Sequence, residues 1–161
     1  MGRIRAAAVI AGAVLAGAGV VAAGGPAAAA PRHHAVHRAC QRTSPAGGAA
    51  AYVQLQLGKP YVFGAAGPNS FDAAGLVVAA YASVGIALPH DTAELAAQST
   101  PVGRNGIQPG DLVFYGTHAP STVAVYIGDD QVVGVFRPGT VVHVDAIDFN
   151  TIFAYGRAVS S

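Results

Sequence analysis

Residues 72–89 read DAAGLVVAAYASVGIALP, a run whose single charge stands at its first position. If the run is helical, its apolar side chains cover every side of the helix, and such helices are buried in the core of a domain. Asp72 directly precedes the apolar residues, and Asp is a preferred N-cap because its carboxylate accepts free amide hydrogens of the first turn. The sequence therefore predicts a buried helix that begins after Asp72.

Shorter helices are predicted on both sides of this run. Residues 49–60 (AAAYVQLQLGKP) have a helical pattern that stops at its Gly and Pro, and residues 92–98 (TAELAAQ) are capped by Asp91 or Thr92. Helices first and consecutive strands second predict an α+β fold, in which N-terminal helices pack on a central antiparallel sheet of about five to six strands. The strand-like runs are rich in Val, Ile, Phe and Tyr and cover residues 112–116, 122–128, 131–136, 140–147 and 152–159.

The N-terminal 30 residues have a different composition. A basic start, MGRIR, precedes an uncharged run of Ala, Gly and Val, and residues 25–31 (GPAAAAP) contain A-x-A sites. This order is typical of a secretory signal peptide. We expect residues 1–30 to be removed by a cut near Ala29, so that the protein is secreted or associated with the cell wall. The alternative, a retained membrane anchor, requires a strongly apolar span, and Ala and Gly drive insertion weakly.

Residues 31–48 are predicted to form a flexible basic arm, and residues 49–161 the folded domain. Cys40 in this arm is interpreted as a lone thiol that is able to form an intermolecular disulfide. The simplest interpretation of the arm is a solvated segment that contacts anionic wall polymers or nothing. The alternative is a zinc or copper site, made from His33, His34, His37 and Cys40.

Charge and cysteine content exclude several classes of protein. The net charge is +1, and charged residues make up 11% of the chain, whereas a nucleic-acid binder shows a basic stripe. Residues 46–161 carry four basic and eight acidic residues, a net charge of −4. The single cysteine excludes an internal disulfide and a four-cysteine zinc site. We expect a monomer that binds no nucleic acid and whose domain needs no cofactor or metal, with membrane contact only through an uncleaved signal.

Six motifs, taken together and in order, are specific. They resemble those of the NlpC-type cell-wall peptidases, a papain-like family of bacterial peptidoglycan hydrolases, from about Tyr52 to Val159. The resemblance implies a papain-like NlpC-type fold. In active members it also implies hydrolysis of the bond between D-glutamate and meso-diaminopimelate, or of a related stem-peptide bond. The motifs are GKPYVFGAAGPNSFD (58–72), AAGLVVAAY (73–81), GIALP (85–89), QPGDLVFY (108–115), TVAVYIGDDQVV (122–133) and RPG (137–139).

The resemblance also implies that the catalytic groups are missing. In the family a Cys begins the buried helix, where the helix N-terminus favours the thiolate, a His acts as base, and a third polar residue orients that His. The matching residues here are Ala73, Thr122 and Gly134. A methyl group cannot attack a carbonyl, a threonine hydroxyl is no base near neutral pH, and glycine has no side chain. These losses predict a natural pseudoenzyme with a wider and less polar groove.

Four residues match family positions that we expect to contact the ligand: Tyr61, Asp72, Asp91 and Arg137. Each also has a structural interpretation, as a core aromatic, two helix caps and a turn residue, respectively. His90 stands where the family often has Arg, which puts anion binding at that point in doubt. Asp111 is expected to hold the turn before the first strand.

The favoured function is that of a secreted, non-catalytic peptidoglycan-binding protein that recognises the stem peptide and modulates active cell-wall hydrolases. One alternative is a residual endopeptidase with a relocated active site, for which Ser70, His118 and His143 are the candidate groups. Another is a protein-interaction domain without affinity for the wall. The Ala- and Gly-rich, Lys-poor composition is compatible with an actinobacterial source.

Overall fold

The computed structural model describes residues 44–159, and the predicted signal peptide, Cys40 and the candidate metal ligands of the arm lie outside the described residues. None of the helices within the described range is long and apolar enough to cross a membrane. The helical part of this range comes before the sheet, apart from a short 3-10 turn at Arg104–Gly106. Its α-helices are α1 (Pro45–Gln54), α2 (Ala73–Ala82) and α3 (Thr92–Gln98).

The predicted caps of α2 and α3 are confirmed. Asp72 precedes α2, and its side chain accepts a hydrogen bond from the amide of Gly75. Asp91 precedes α3, and its Oδ1 accepts hydrogen bonds from the amides of Ala93 and Glu94 at 2.9 and 3.0 Å. Each carboxylate therefore satisfies amides that the helix itself leaves without partners.

Helix α1 differs from its prediction at both ends. It begins at Pro45 with Ser44 as its N-cap, so residues 45–48, assigned by the sequence to the arm, belong to the helix. The Pro-Ala-Gly-Gly sequence suggested a linker, but Pro suits the first turn of a helix. Gly48 is needed for close packing, because a Cβ there would lie 2.6 Å from Cγ1 of Val84. The helix ends at Gln54 and a turn follows, earlier than the predicted stop.

The strands form one six-stranded sheet with the order β1-β6-β2-β3-β4-β5. Every strand pairing is antiparallel. The α+β class and the predicted sheet of five to six strands are therefore confirmed. The strands are β1 (Thr100–Pro101), β2 (Leu112–Tyr115), β3 (Thr122–Gly128), β4 (Gln131–Gly134), β5 (His143–Ala146) and β6 (Ile152–Arg157).

The main core lies between the helices and one face of the sheet. Leu76 and Val77 of α2 are buried in one cluster with Val123, Val125 and Val133 of β3 and β4. This burial confirms that the all-apolar helix belongs to the core. Because strand residues alternate between faces, the residues between these valines belong to a second, smaller cluster on the opposite face. That cluster includes Val113, Ala124, Tyr126, Val132 and Ile147.

A buried ion pair fixes the turn before β2. The carboxylate of Asp111 is 0% exposed and accepts hydrogen bonds from Nε and Nη2 of Arg157, both at 2.7 Å. It also accepts the amide hydrogen of Gln108 at 2.7 Å. Nearby, the hydroxyl of Tyr81 donates to the carbonyl of Gly110 at 2.6 Å. The predicted structural role of Asp111 is thereby confirmed, and its partner on β6 is the residue that sequence reasoning missed.

Candidate functional site

Ala73, which the resemblance matches to the nucleophile of the family, is the first residue of α2. Its side chain is half-buried and packs against the main core. The helix is ten residues long and presents free amides at this end, an environment that favours a thiolate. Here that environment contains a methyl group, which has nothing to ionise.

Beside Ala73, the carboxylate of Asp72 makes three hydrogen bonds. Its Oδ1 accepts the amide hydrogen of Gly75, and its Oδ2 accepts that of Gly64 at 2.8 Å. The third partner is Nε2 of His90, 2.8 Å from Oδ1. Because a carboxylate is only an acceptor, the ring must carry a hydrogen on Nε2. The side chain of Asp72 is 13% exposed and that of His90 33% exposed, so the pair lies at the surface end of the helix.

Sequence reasoning missed the contact between Asp72 and His90. The two residues are separated by 18 positions, and neither the helix pattern nor the capping rule predicts that their side chains meet. The only signal was that His90 stands where the resemblance expects Arg, directly before the cap of α3. The structure places the His90 ring on the capping carboxylate of α2.

Thr122 and Gly134, which the resemblance matches to the two histidines of the family, lie on the same face of the sheet. Strand pairing places Val125 opposite Val133, and strand alternation then puts both positions on the face of Ala124. A Cβ on Gly134 would lie 3.1 Å from Cβ of Ala124 and 2.8 Å from Cζ of Phe136. The Phe136 ring therefore occupies the space that a side chain at Gly134 needs. A side chain at Gly134 would require this ring to move, and the predicted wider, less polar groove stays a prediction.

Thr122 is half-buried, and its Oγ1 is fully covered and has no hydrogen-bond partner among the described residues. A buried hydroxyl without a partner is destabilising. Thr122 pairs across the strands with Tyr115, whose ring meets Phe136 edge-on at a centroid distance of 6.1 Å. Burial raises the pKa of Tyr115 to about 12, so that its phenol stays neutral. The base position of the family is thus enclosed by neutral and aromatic groups.

His143, a candidate for a relocated base, lies on β5 directly opposite Gly134. Its ring meets Phe136 edge-on at 5.5 Å. Its Nδ1 lies 2.7 Å from the carbonyl oxygen of Val141, and its Nε2 lies 3.8 Å from Oδ2 of Asp145. The other histidine candidate, His118, is exposed in the loop between β2 and β3. Neither arrangement supplies a nucleophile.

The remaining predicted ligand residues lie in neighbouring loops. Tyr61 is half-buried against the main core, and its amide donates to the carbonyl of Thr140 at 2.9 Å. Thr140 also closes the turn at Arg137, because its Oγ1 donates to the Arg137 carbonyl at 2.6 Å. Asp91 is exposed at the start of α3. The structure thus brings the segments of Tyr61 and Arg137 together. Asp72 and Asp91 are helix caps and Arg137 lies in a turn, as their structural interpretations predict, whereas Tyr61 packs against the edge of the core and is only half-buried.

Residues 44–159 were compared with the ligand clusters that bind metal ions. In that range no three His, Cys, Asp or Glu side chains lie together as metal ligands do. The predicted alternative of a metal site in the arm lies outside the described residues.

Two curated proteins and one solved structure are similar to this chain. A 93-residue region is 41% identical to a probable endopeptidase of Mycobacterium tuberculosis and covers 58% of this chain and 24% of that protein. A 96-residue region is 35% identical to a probable endopeptidase of Corynebacterium glutamicum and covers 60% and 46%, respectively. This chain therefore spans less than half the length of either relative. Both relatives come from actinobacteria.

One of the similar solved structures is that of RipD from Mycobacterium tuberculosis, described as a non-catalytic NlpC/p60 domain protein adapted to peptidoglycan binding. It superposes with a TM-score of 0.64 at 27% identity, over 73% of this chain and 99% of RipD. The predicted papain-like NlpC-type fold is thereby confirmed. Residues 58–152 match the model of the NlpC/P60 family. Since that match covers more than half of the chain, the protein belongs to the NlpC/P60 family.

Proposed function

We propose that this protein is a secreted, non-catalytic member of the NlpC/P60 family that binds the peptidoglycan stem peptide and thereby modulates active cell-wall hydrolases. The observation that carries the proposal is Ala73 at the start of α2. The helix N-terminus, its Asp72 cap and the buried core beneath it are all present, and the group missing from this helix is the nucleophile.

The sheet side of the site supports the same conclusion. Two histidine positions have been replaced as well, and the space beside Gly134 is filled by Phe136. A single replacement would be compatible with a recently inactivated enzyme, whereas an aromatic ring over a glycine indicates that the surroundings have adapted. RipD provides a precedent, since it is described as a non-catalytic family member with a peptidoglycan-binding function.

The first test is sedimentation with purified insoluble peptidoglycan, using residues 31–161 and a form that lacks residues 31–43. We expect both forms to sediment, because the ligand contacts are assigned to the domain. Asp72→Ser should reduce sedimentation, since Ser preserves the helix cap but removes the carboxylate. Asp145→Ser, the same change at an exposed acid of β5, serves as the matched control. Binding that depends on the arm alone, or no binding at all, contradicts the proposal.

The second candidate is a residual endopeptidase, because the relatives from Mycobacterium tuberculosis and Corynebacterium glutamicum are named probable endopeptidases. Mass spectrometry of a stem-peptide fragment containing D-glutamyl-diaminopimelate distinguishes the two functions. We expect no cleavage by the natural chain. Product that disappears in His143→Gln or His118→Gln would establish a relocated active site instead.

Rebuilding the catalytic groups tests how far the surroundings have diverged. Ala73→Cys alone should remain inactive, because Thr122 still occupies the base position. We also expect no activity when Thr122→His and Gly134→His are added, since the new side chain at Gly134 collides with Phe136. Adding Phe136→Ala to this triple variant removes the collision. Cleavage by the single variant would reveal a base elsewhere in the chain.

A further inference from the structure

The two outer strands of the sheet leave different edges open to solvent. Strand β1 has only two residues, Thr100–Pro101, and its proline has no amide hydrogen to offer. Strand β5 has four residues, His143–Ala146, and its last three are exposed. An edge strand with free backbone groups is able to pair with a further strand. Within the described part of the chain, the edge of β5 is therefore the one suited to such pairing.

The backbone groups of β5 point alternately toward β4 and away from it. The amide of Ile147 donates to the carbonyl of Asp130 at 2.9 Å, which marks this pair as a hydrogen-bonded one. Hydrogen-bonded and non-hydrogen-bonded pairs alternate along an antiparallel ladder. From the register of β4 and β5, the amides and carbonyls of Val144 and Ala146 therefore point away from β4.

The chain itself covers the neighbouring part of this edge. Val142, whose backbone groups also point away from β4, exchanges two hydrogen bonds of 2.8 Å with the backbone of residues 58–59. Further along, the amide of Ala146 donates to Oδ1 of Asp145 at 3.0 Å. The amide and carbonyl of Val144 have no hydrogen-bond partner in the described part of the chain. An added strand at Val144 would thus continue a pairing that residues 58–59 begin.

The surroundings of this edge are apolar and acidic. The side chains of Val144 and Val141 are exposed, and so is that of Leu57, which directly precedes the segment bound to Val142. An occupant of the edge is therefore expected to be extended, to have a small apolar centre and to carry basic side chains that match the nearby acids. Four carboxylates stand at the same end of the sheet, in β5 and in the turns before β4 and after β5: Asp129, Asp130, Asp145 and Asp148.

Residues 32–43 of this chain, RHHAVHRACQRT, have that composition. They contain three arginines and no acid, and Ala35 and Val36 form an apolar pair with histidine and arginine on both sides. A second copy of β5 is disfavoured as the occupant, because it would bring two copies of Asp145 together, and like charges across strands are destabilising. Charge complementarity therefore selects the chain's own basic arm.

The arm is long enough to reach this edge. It joins the domain at Ser44, the N-cap of α1. Helix α1 has ten residues and is therefore about 15 Å long, and its far end leads to Gly58 beside Val142. An extended strand advances about 3.3 Å per residue, so residues 39–43 are able to span a distance of this size. That leaves residues 33–38 to lie beside β5.

We infer that residues 33–38 pair with the outer edge of β5 as an added strand, with Ala35 and Val36 at its centre and Arg38 near the carboxylates. In this arrangement the basic arm closes the chain's own open edge, which then has no free groups for pairing with another protein. The inference goes beyond the proposed function and does not depend on it, because peptidoglycan binding is assigned to the domain.

Cys40, the single cysteine of the chain, gives a direct test, because it lies in the linking stretch and not in the added strand. A nitroxide attached to Cys40 of residues 31–161 broadens the NMR signals of amides that come close to it. We expect broadening for Val144 and Ala146 on the edge of β5 and none for Thr100 on the opposite edge. The chain with the reduced, non-magnetic label gives the reference. No broadening at β5 contradicts the inference.

A mixed sample separates the chain's own arm from that of a second copy. It contains nitroxide-labelled chain without the NMR isotope and isotope-labelled chain without the nitroxide. We expect no broadening at β5 in this sample. Broadening there would mean that the arm of another molecule fills the edge, which overturns the pairing within one chain.

Val36→Pro tests the added strand itself, because proline removes an amide hydrogen and weakens the centre of a strand. Gln41→Pro, the same change in the linking stretch, is the matched control. Both positions lie outside the domain, so both variants keep its internal contacts. We expect the amide hydrogen of Val144 to exchange about 3- to 10-fold faster in Val36→Pro than in the natural chain or the control, as for a segment that opens locally. Equal exchange rates contradict the inference.

Arg38→Ser tests the choice of this occupant by charge. Removing one exposed ion pair should speed the exchange at Val144 by about 2-fold, and about 1 M salt should speed it as well, since salt screens exposed charges. Arg42→Ser, with the same loss of charge in the linking stretch, should leave the rate unchanged. If neither Arg38→Ser nor salt changes the rate, attraction to the carboxylates does not hold the arm, and the choice of this occupant is wrong.

Discussion

Two carboxylates in this domain make the same number of hydrogen bonds but bind different side chains. Asp111 accepts one bond from a backbone amide and two from the guanidinium of Arg157. Asp72 accepts two from backbone amides and one from the ring of His90. The first carboxylate is 0% exposed and the second 13% exposed. The number of bonds therefore does not distinguish the two sites. They differ in the burial of the carboxylate and in the side chain that binds it.

The difference assigns different roles to the two pairs. Arginine keeps its charge at every physiological pH and binds a carboxylate with two parallel hydrogen bonds, and the bond to Asp111 raises the pKa of Arg157 further. The ring of His90 offers Asp72 a single hydrogen bond. The Asp111 carboxylate is fully buried although the Arg157 side chain is 39% exposed, and this pair fixes the fold. In the Asp72–His90 pair both side chains are partly exposed.

The largest effect is expected from Arg157→Met, which leaves the buried carboxylate of Asp111 without its cation. Breaking a buried pair by removing one partner typically costs about 3 kcal/mol or more. Urea denaturation measures the loss in the free energy of unfolding. Arg137→Met, in an exposed turn, is the control and should change stability by no more than about 0.5 kcal/mol. Equal losses of stability in the two variants would show that the buried Asp111 carboxylate does not depend on Arg157.

Tyr81→Phe tests a neutral hydrogen bond next to the buried Asp111 carboxylate. Burial raises the pKa of Tyr81, so its hydroxyl remains protonated and donates to the Gly110 carbonyl. Removing that donor should cost about 1 to 2 kcal/mol. The half-buried Tyr52 on α1 gives a control, and Tyr52→Phe should cost clearly less in the same denaturation experiment.

The local patterns that predicted the fold were correct where one segment contains all the information. The run after Asp72 is apolar on every side, which requires burial, and a carboxylate directly before it predicts the cap. The strands alternate with turn residues and predict the sheet for the same reason. The predicted start of α1 was wrong, because Gly48 was assigned to a linker. Its role in the helix is a close contact with Val84, which is 36 residues away.

The candidate site was predictable as a set of missing groups and not as a set of contacts. Ala73, Thr122 and Gly134 follow from their positions in motifs. That Phe136 fills the space beside Gly134 depends on the face of the strand and on its neighbour Ala124. That His90 reaches Asp72 depends on the path of the loop before α3. Both contacts depend on the tertiary structure, which local sequence patterns do not specify.

Replacing Asp72 should lower stability less than Arg157→Met or Tyr81→Phe does. Asp72→Ala removes an N-cap, which typically costs about 1 kcal/mol, and also removes the acceptor of the Gly64 amide. Asp72→Ser keeps one capping oxygen in place of the two that bind Gly64 and Gly75, and should cost less than Asp72→Ala. Thermal or urea denaturation of both variants separates the loss of the cap from the loss of the charge. If both lose as much stability as Arg157→Met, Asp72 has a structural role comparable to that of Asp111.

The smallest effect is expected from His90→Ala. The ring is 33% exposed, and ion pairs near the surface contribute at most about 1 kcal/mol and commonly less than half of that. The loss from Arg157→Met should be clearly larger, because it leaves a carboxylate that is 0% exposed without its cation. Urea denaturation of both variants measures this contrast directly. A His90→Ala loss as large as that of Arg157→Met would contradict it.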